Sequence, residues 1–424
     1  MHLKTADALI VFFLIISTRI QGQVYLEGEK NRYRFAQTAV GVDLRTSLTG
    51  GSFYTYNSTN LIKNSFEKDL TPVLTIAGTH FWGHVEFFTG LALTNFKITD
   101  ADAKYYFKRN AGTGVKIYPF KLKYRKIVPY IGTSFSSFTF KAEEGTKLTR
   151  MEYPLQMGLS FISKLGLFEV GANYFFNRNF NYYLRDEMMV PLAVPGFNFS
   201  LKYKYIVDFT ILTEKRVAKG EVQRNYENLL KIGGMNSLFI SSGFTNSYVL
   251  GKSSYNQSRP YMDDYTISNI IPEFSFGYHH HPLNINFSLE YRRFRFGLEA
   301  FREAQTIIRK SLNMGASKYL GDYHGFNPFI GASISLENMR FREKKEGIET
   351  LSLRRKFITY GFNFGWDIKP SNVDWWTIRS NVRYFPDLEI HPVSGKRAVI
   401  DQIEVNFFQF VFLINRFHSL SKTE

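Results

Sequence analysis

The 424-residue sequence contains no cysteine. That excludes disulfides, thiolate metal sites and a lipid-modified N-terminal cysteine. Long apolar runs are almost as scarce. The longest, ALIVFFLII at Ala8–Ile16, falls far short of the ~20 apolar residues that a membrane-spanning helix needs. If the chain crosses a bilayer, it must do so with strands. Blocks of six or more basic residues are also missing. The densest basic stretch, FKLKYRK at Phe120–Lys126, reads as a solvated turn. No recognition module for nucleic acid is present, and no nucleic-acid partner is expected.

Aromatic residues, by contrast, are plentiful. They make up 17% of the chain, with 42 Phe and 26 Tyr. Mean hydropathy is nevertheless -0.21, the net charge is +16 and the pI is near 9.6. Period-two alternation reconciles these values. In FNFSLKYKY, Phe197, Phe199, Leu201, Tyr203 and Tyr205 share one face, while Asn198, Ser200, Lys202 and Lys204 share the other. FITYGFNFGW repeats the pattern from Phe357 to Trp366. In LNINFSLEYRRFRFGLEAF (Leu283–Phe301) the alternation slips by one at Arg292-Arg293. That slip predicts one long strand with a β-bulge. A second slip lies at Phe407-Phe408 in QIEVNFFQFVFLINRF.

The N-terminus has a basic residue (Lys4), the short apolar core, and Gly22 before Gln23. This is the pattern of a secretory signal over 1–22. A faint repeat follows. PYIGTSFS at Pro129 is echoed by PFIGASIS at Pro328, and PVLTIAG at Pro72 by PEFSFG at Pro272, both about 200 residues downstream. The expected organisation is a first half over 23–209, an inter-half periplasmic segment over 210–232, a second half over 233–417 and a tail over 418–424. Each half parses into eight strands, from Thr38–Leu44 to Phe197–Ile206 and from Leu238–Thr245 to Ile403–Ile414. Long polar connections follow odd strands and short ones follow even strands, the rhythm of outer-membrane barrels. Both termini are then expected in the periplasm.

Apolar runs of about nine residues suit tilted transmembrane strands. Tyr291, Trp366, Trp375, Trp376, Tyr384 and Phe385 cluster at strand ends, where a membrane interface favours amphipathic rings. The expected fold is all-β: one transmembrane antiparallel barrel of about 16 strands (roughly 14–18) built from two similar eight-strand halves, with two closed eight-strand barrels as the variant that the inter-half segment also allows. VKIYPFKLKYRKIVPYIGTSF (Val115–Phe135) couples Tyr-Pro at a strand end to Pro-Tyr-Ile-Gly at the next strand's start. With Gln23 as mature N-terminus and an aromatic-rich last strand reaching Phe417, the chain resembles the outer-membrane β-barrel proteins abundant in the Bacteroidota. The resemblance implies an outer-membrane location and carries over no catalytic residue.

Alternation places Lys202, Lys204, Arg295, Arg379 and Arg383 on the lumenal face, with Glu86 and Glu299 as carboxylates there. If unpaired, these cations would favour passage of a small anionic solute; if paired, they would plug the interior. Three functions are ranked, a channel being favoured and an enzyme not expected. The first is a passive or anion-preferring channel. The second is a structural or accessory barrel with a protein partner in an outer-membrane complex. The third is a lipid hydrolase. Outer-membrane lipid is the expected surrounding partner. No catalytic set is spaced for nucleophilic chemistry. His279 and His281 make half a zinc site at most, so neither a metal nor another cofactor is expected.

Overall fold

The computed structural model describes residues 37–47, 50–57, 60–80, 83–93, 96–97, 105–142, 145–163, 165–185, 187–207, 220–268, 270–323, 325–369 and 373–420. The expected signal segment 1–22 and Gln23 lie outside them.

Alternating residues form the first eight ring strands: β1 (Gln37–Ser47), β2 (Asp69–His80), β3 (Val85–Ala92), β4 (Tyr105–Ile117), β5 (Ile127–Ala142), β6 (Leu155–Ser163), β7 (Gly166–Tyr174) and β8 (Phe197–Val207). The second eight are β9 (Ser237–Val249), β10 (Ile271–His280), β11 (Ile285–Ala300), β12 (Glu303–Tyr319), β13 (Phe326–Lys345), β14 (Ile348–Ile368), β15 (Trp376–Phe385) and β16 (Gln402–Leu413). Each strand pairs antiparallel with its sequence neighbours within its own half.

Closure differs from the expected single wide barrel. β1 pairs with β8 on one edge and β2 on the other. β9 likewise pairs with β16 and β10. Both edges of each terminal strand are used within its own half, so no edge remains to join the halves. The result is two eight-stranded rings. At this strand number a barrel interior is just wide enough for side chains to fill it.

The segment between the rings contains helix α1 (Glu221–Lys231), and helix α2 (Ile414–Leu420) follows β16. No helix among the described residues is long and apolar enough to cross a membrane.

The expected bulge at Arg292-Arg293 is absent. β11 runs in unbroken register along β12 from Ile285↔Lys318 to Ala300↔Glu303. What inverts is the chemistry of the two faces. Phe287, Leu289 and Tyr291 point outward, and Glu290 and Arg292 point inward. Further along, Arg293 and Arg295 point outward, and Phe294, Phe296, Leu298 and Ala300 are buried inside. The strand passes from a zone with an apolar exterior into one with a polar exterior and a packed apolar interior. The slip at Phe407-Phe408 is a true irregularity. The β16 register shifts there against both neighbours, between Gly243 and Asn246 on one side and Arg379 and Asn381 on the other.

Each ring is capped at both ends. At the long-loop end of the first ring, Ser52–Asn57, Asn60–Ser65, Asn179–Arg185 and Met188–Ala193 form a four-stranded sheet. Phe53, Tyr182 and Leu192 from that sheet pack on Phe138 and Phe140 of β5. At the same end of the second ring, Tyr255, Met262, Leu388 and Ile400 from the loops pack against Phe294, Phe296, Met339 and Phe341 from the strands. At the short-turn ends, Leu122, Tyr130, Ile162 and Ile206 close the first ring. Near that end of the second ring, Leu229 of α1 packs with Met235 and Val373.

Candidate functional site

Inside the first ring, two lysines and two glutamates arrive from four strands: Glu86 on β3, Lys116 on β4, Glu169 on β7 and Lys204 on β8. Lys204 Nζ donates to both Glu86 carboxylate oxygens at 2.7 Å and to Glu169 Oε1 at 3.1 Å. Lys116 Nζ donates to Glu86 Oε1 at 2.8 Å and to Glu169 Oε2 at 2.6 Å. Tyr118 Oη and Ser160 Oγ donate to Glu169 Oε1 at 2.9 and 3.1 Å. All four charged side chains are buried. An ammonium has three donors in a compact head, and each lysine here meets both carboxylates. Beside this square, Lys202 Nζ lies 3.6 Å from Asp43 Oδ2, which also accepts from Arg45 Nε at 2.7 Å.

The second ring uses guanidiniums. Arg309 on β12 makes a two-pronged contact with Glu337 on β13, from Nε at 2.8 Å and Nη2 at 2.6 Å. Its Nη1 reaches across the lumen to Glu404 on β16 at 2.6 Å. Arg292 also pairs with Glu404. Arg383 on β15 donates to Glu273 on β10, from Nη1 at 3.0 Å, and lies 3.5 Å from Glu290 and 3.7 Å from Glu404. Gln409, Asn406 and Thr245 supply further donors to Glu273. The Phe385 ring covers the network, with the Arg292 and Arg309 guanidinium carbons 4.7 and 4.8 Å from its centre. Nearer the short-turn end, Arg379 holds Asp367 from Nε at 2.8 Å and Nη2 at 3.0 Å.

The sequence-derived positions can now be located. Lys202, Lys204, Arg379, Arg383 and Glu86 are inside and in ion pairs. Two lumenal assignments are corrected. Arg295 lies on the outward face, because β11 keeps its phase through Arg292-Arg293. Glu299 is at the strand tip and pairs with Lys141 of the first ring at 2.6 Å. Among the network residues that sequence reading missed are Arg292, Arg309, Lys116, Glu169, Glu273, Glu337 and Glu404. All of them sit on the polar face of strands whose alternation already pointed inward. Of the expected interface aromatics, Tyr291 and Tyr384 are exposed on the outer wall. Trp376 stacks with Phe410, and Trp375 packs against Phe412 and Phe417. Trp366 faces outward but is covered by the first ring, packing on Phe87 and His80. Phe385 is corrected from the interface to the interior.

The rings touch at two levels. Phe87 and His80 meet Trp366 and Phe326 near the short-turn end. At the long-loop end, Thr146 Oγ1 donates to the Tyr261 carbonyl at 3.0 Å, and Arg150 pairs with Asp263. Burial raises the neighbouring Asp264 carboxyl above its ordinary value.

His279 lies on β10 and is buried inside the ring, its Nδ1 2.8 Å from Asn286 Oδ1. Among the described residues no group of three or more His, Cys, Asp or Glu is placed to hold a metal ion.

No protein-family model matches the sequence, and no curated protein matches it. Solved structures do show likeness. Ail, the attachment invasion locus protein of Yersinia pestis, is 12% identical with a TM-score of 0.27, covering 42% of this chain and 97% of its own. OprG, an outer membrane protein of Pseudomonas aeruginosa, is 13% identical with a TM-score of 0.29, covering 42% and 96%. An outer membrane channel from Pseudomonas putida F1 is 7% identical with a TM-score of 0.21, covering 91% and 98%.

Proposed function

We propose that this chain is an integral outer-membrane protein built of two adjacent occluded barrels, acting as a structural or accessory element of a membrane assembly rather than as a passage. The observation that carries the reading is the polarity of the rings. Their interiors hold charged networks, and their outer walls expose rows such as Leu159, Val170 and Leu201 on the first ring and Leu312, Leu336 and Ile358 on the second. A water-soluble protein of this size seldom exposes so large an apolar surface, whereas a lipid bilayer solvates it.

Occlusion supports the structural role over conduction. Each charged layer lies between apolar caps, and the cations that would attract an anion already face carboxylates at contact distance. In this reading residues 1–22 direct export and both termini lie in the periplasm. The Bacteroidota-type assignment rests on the sequence resemblance. A duplication origin is supported by the echoed segments. Pro72 and Pro272 fall on the second strand of their rings, and Pro129 and Pro328 on the fifth.

The test is single-channel recording of the signal-less protein in a planar bilayer under a salt gradient, with insertion checked by heat-modifiable gel mobility. Inserted but silent protein is the expected result. Stepwise openings with an anion-side reversal potential would restore the channel reading.

A further inference from the structure

The outer wall of the second ring changes character over one residue row. Across β11, β12, β13 and β14, the row Tyr291, Leu312, Leu336 and Ile358 is apolar and exposed. The next outward row towards the long-loop end is Arg293, Lys310, Asn338 and Lys356. The row beyond it is Arg295, Ile308, Arg340 and Arg354, followed by Arg342 on β13. Neighbouring strands lie ~4.8 Å apart and successive outward residues ~6.6 Å apart along a strand. These cations therefore share a patch about the width of a diphosphorylated headgroup.

The patch contains a recess of about 480 Å³ lined by Arg293, Lys310, Arg340, Arg342 and Arg354. Glu349 approaches it, 3.9 Å from Arg340 and 3.8 Å from Arg342. Arg354 Nε donates to Asn338 Oδ1 at 2.8 Å, and Arg340 donates to Ser352 Oγ at 3.2 Å. Those contacts tie two guanidiniums to side chains of the neighbouring strand. Among the described residues no carboxylate pairs with Arg293, Lys310 or Lys356 within ion-pair distance. Gathering this many like charges on adjacent strands is unfavourable without a counter-charge. Nothing in the fold requires it, because these side chains point away from the lumen.

We infer that this recess binds the phosphorylated headgroup of an outer-leaflet lipid, whose acyl chains lie down the apolar rows below it. Planar guanidiniums suit phosphate oxygens through paired donors. The apolar rows directly beneath the recess favour a lipid over a free polyanion, since one ligand then covers both surfaces. The inference rests on the membrane reading above and names a ligand for its outer wall.

The test reconstitutes full-length protein into nanodiscs containing a diphosphorylated glycolipid, with the dephosphorylated form in parallel, and counts retained lipid by native mass spectrometry. The variant is Arg293→Gln/Lys310→Gln/Arg340→Gln, whose exposed changes leave both lumens untouched; heat-modifiable mobility checks that it folds and inserts. Wild type is expected to retain the diphosphorylated lipid at least tenfold more than the dephosphorylated form, and the variant to lose that preference. Equal retention by wild type and variant would overturn the inference, as would equal retention of the two lipids. So would tight binding of inositol hexaphosphate with no lipid retained. Failure of wild type to insert would instead overturn the membrane reading.

Discussion

The two rings solve one problem with different chemistry. Both must fill an eight-stranded interior with polar groups removed from water. The first uses two ammoniums and two carboxylates in a compact square. The second uses three guanidiniums and four carboxylates in a network that spans the lumen from β10 to β16. The caps differ in parallel. The first ring carries a separate four-stranded sheet above it, whereas the second carries the two-stranded sheet Glu389–Val393/Lys396–Val399 and lengthens its own strands, with β13 and β14 running 20 and 21 residues. Where the strands outgrow the apolar zone, the interior becomes a hydrophobic core and the exterior becomes basic. The lumenal charge type follows the geometry: a lysine concentrates its donors at one point, while an arginine distributes five donors across several strands.

The largest expected effect comes from the carboxylate shared by most cations. Glu404→Ala leaves Arg292 and Arg309 without a partner they share and Arg383 without one of three carboxylates. Breaking a buried ion network in this way costs about 3–5 kcal/mol. Urea unfolding in micelles followed by circular dichroism should show the loss in the second ring's transition, with the first ring's unchanged. A single transition shifted as a whole would break the comparison by showing that the rings are one folding unit.

Next is the closure of the first ring. Gly41 on β1 lies opposite Lys204 on β8, and a Cβ there would meet the Tyr203 carbonyl oxygen at 2.0 Å and Lys204 Cα at 2.6 Å. Gly41→Val should therefore cost about 1–3 kcal/mol through overpacking. The heat-modifiable shift of the first ring should be lost at a lower temperature than in wild type.

Arg309→Lys sharpens the chemical contrast at a smaller magnitude. It keeps the charge but cannot hold Glu337 with two prongs and reach Glu404 together, so a loss of about 1–2 kcal/mol is expected. A neutral result in the same urea assay would mean that charge alone is enough in the second ring. Smallest is Lys141→Ala at the contact between rings. Its partner Glu299 is 44% exposed, and such pairs contribute about 0–1 kcal/mol. Neither unfolding midpoint should move measurably.

Much of this fold was legible in the alternation. Every sequence-read strand centre coincides with a ring strand, because polar-in and apolar-out residues repeat with the pleat. Closure was not legible. A single sixteen-stranded barrel and two eight-stranded ones share all pairings between consecutive strands within each half. They differ only at β1, β8, β9 and β16. The local feature that bears on it, Gly41 making room beside Lys204, is a small residue with no pattern around it. Lumenal positions were legible wherever the exterior was apolar, as for Lys202, Lys204, Arg379 and Arg383. They were misread in β11, where the apolar face moves from outside to inside between Tyr291 and Phe294. Periodicity alone cannot distinguish a strand that shifts phase from a strand whose apolar face passes from the exterior to the interior while its phase is kept. Phe407-Phe408 and Arg292-Arg293 show the two cases in one chain.

The central claim is that each half closes on itself, and the absence of native cysteine gives a clean background for testing it. Val40→Cys with Tyr205→Cys places partners across the β1–β8 closure, and Ile240→Cys with Phe412→Cys across the β9–β16 closure. Mild oxidation of the folded protein should cross-link each pair efficiently, read as a mobility shift reversed by reductant. Failure of both pairs to cross-link in properly inserted protein, with cross-linking instead between cysteines placed on β1 and β16, would contradict the account and return the chain to a single wide barrel.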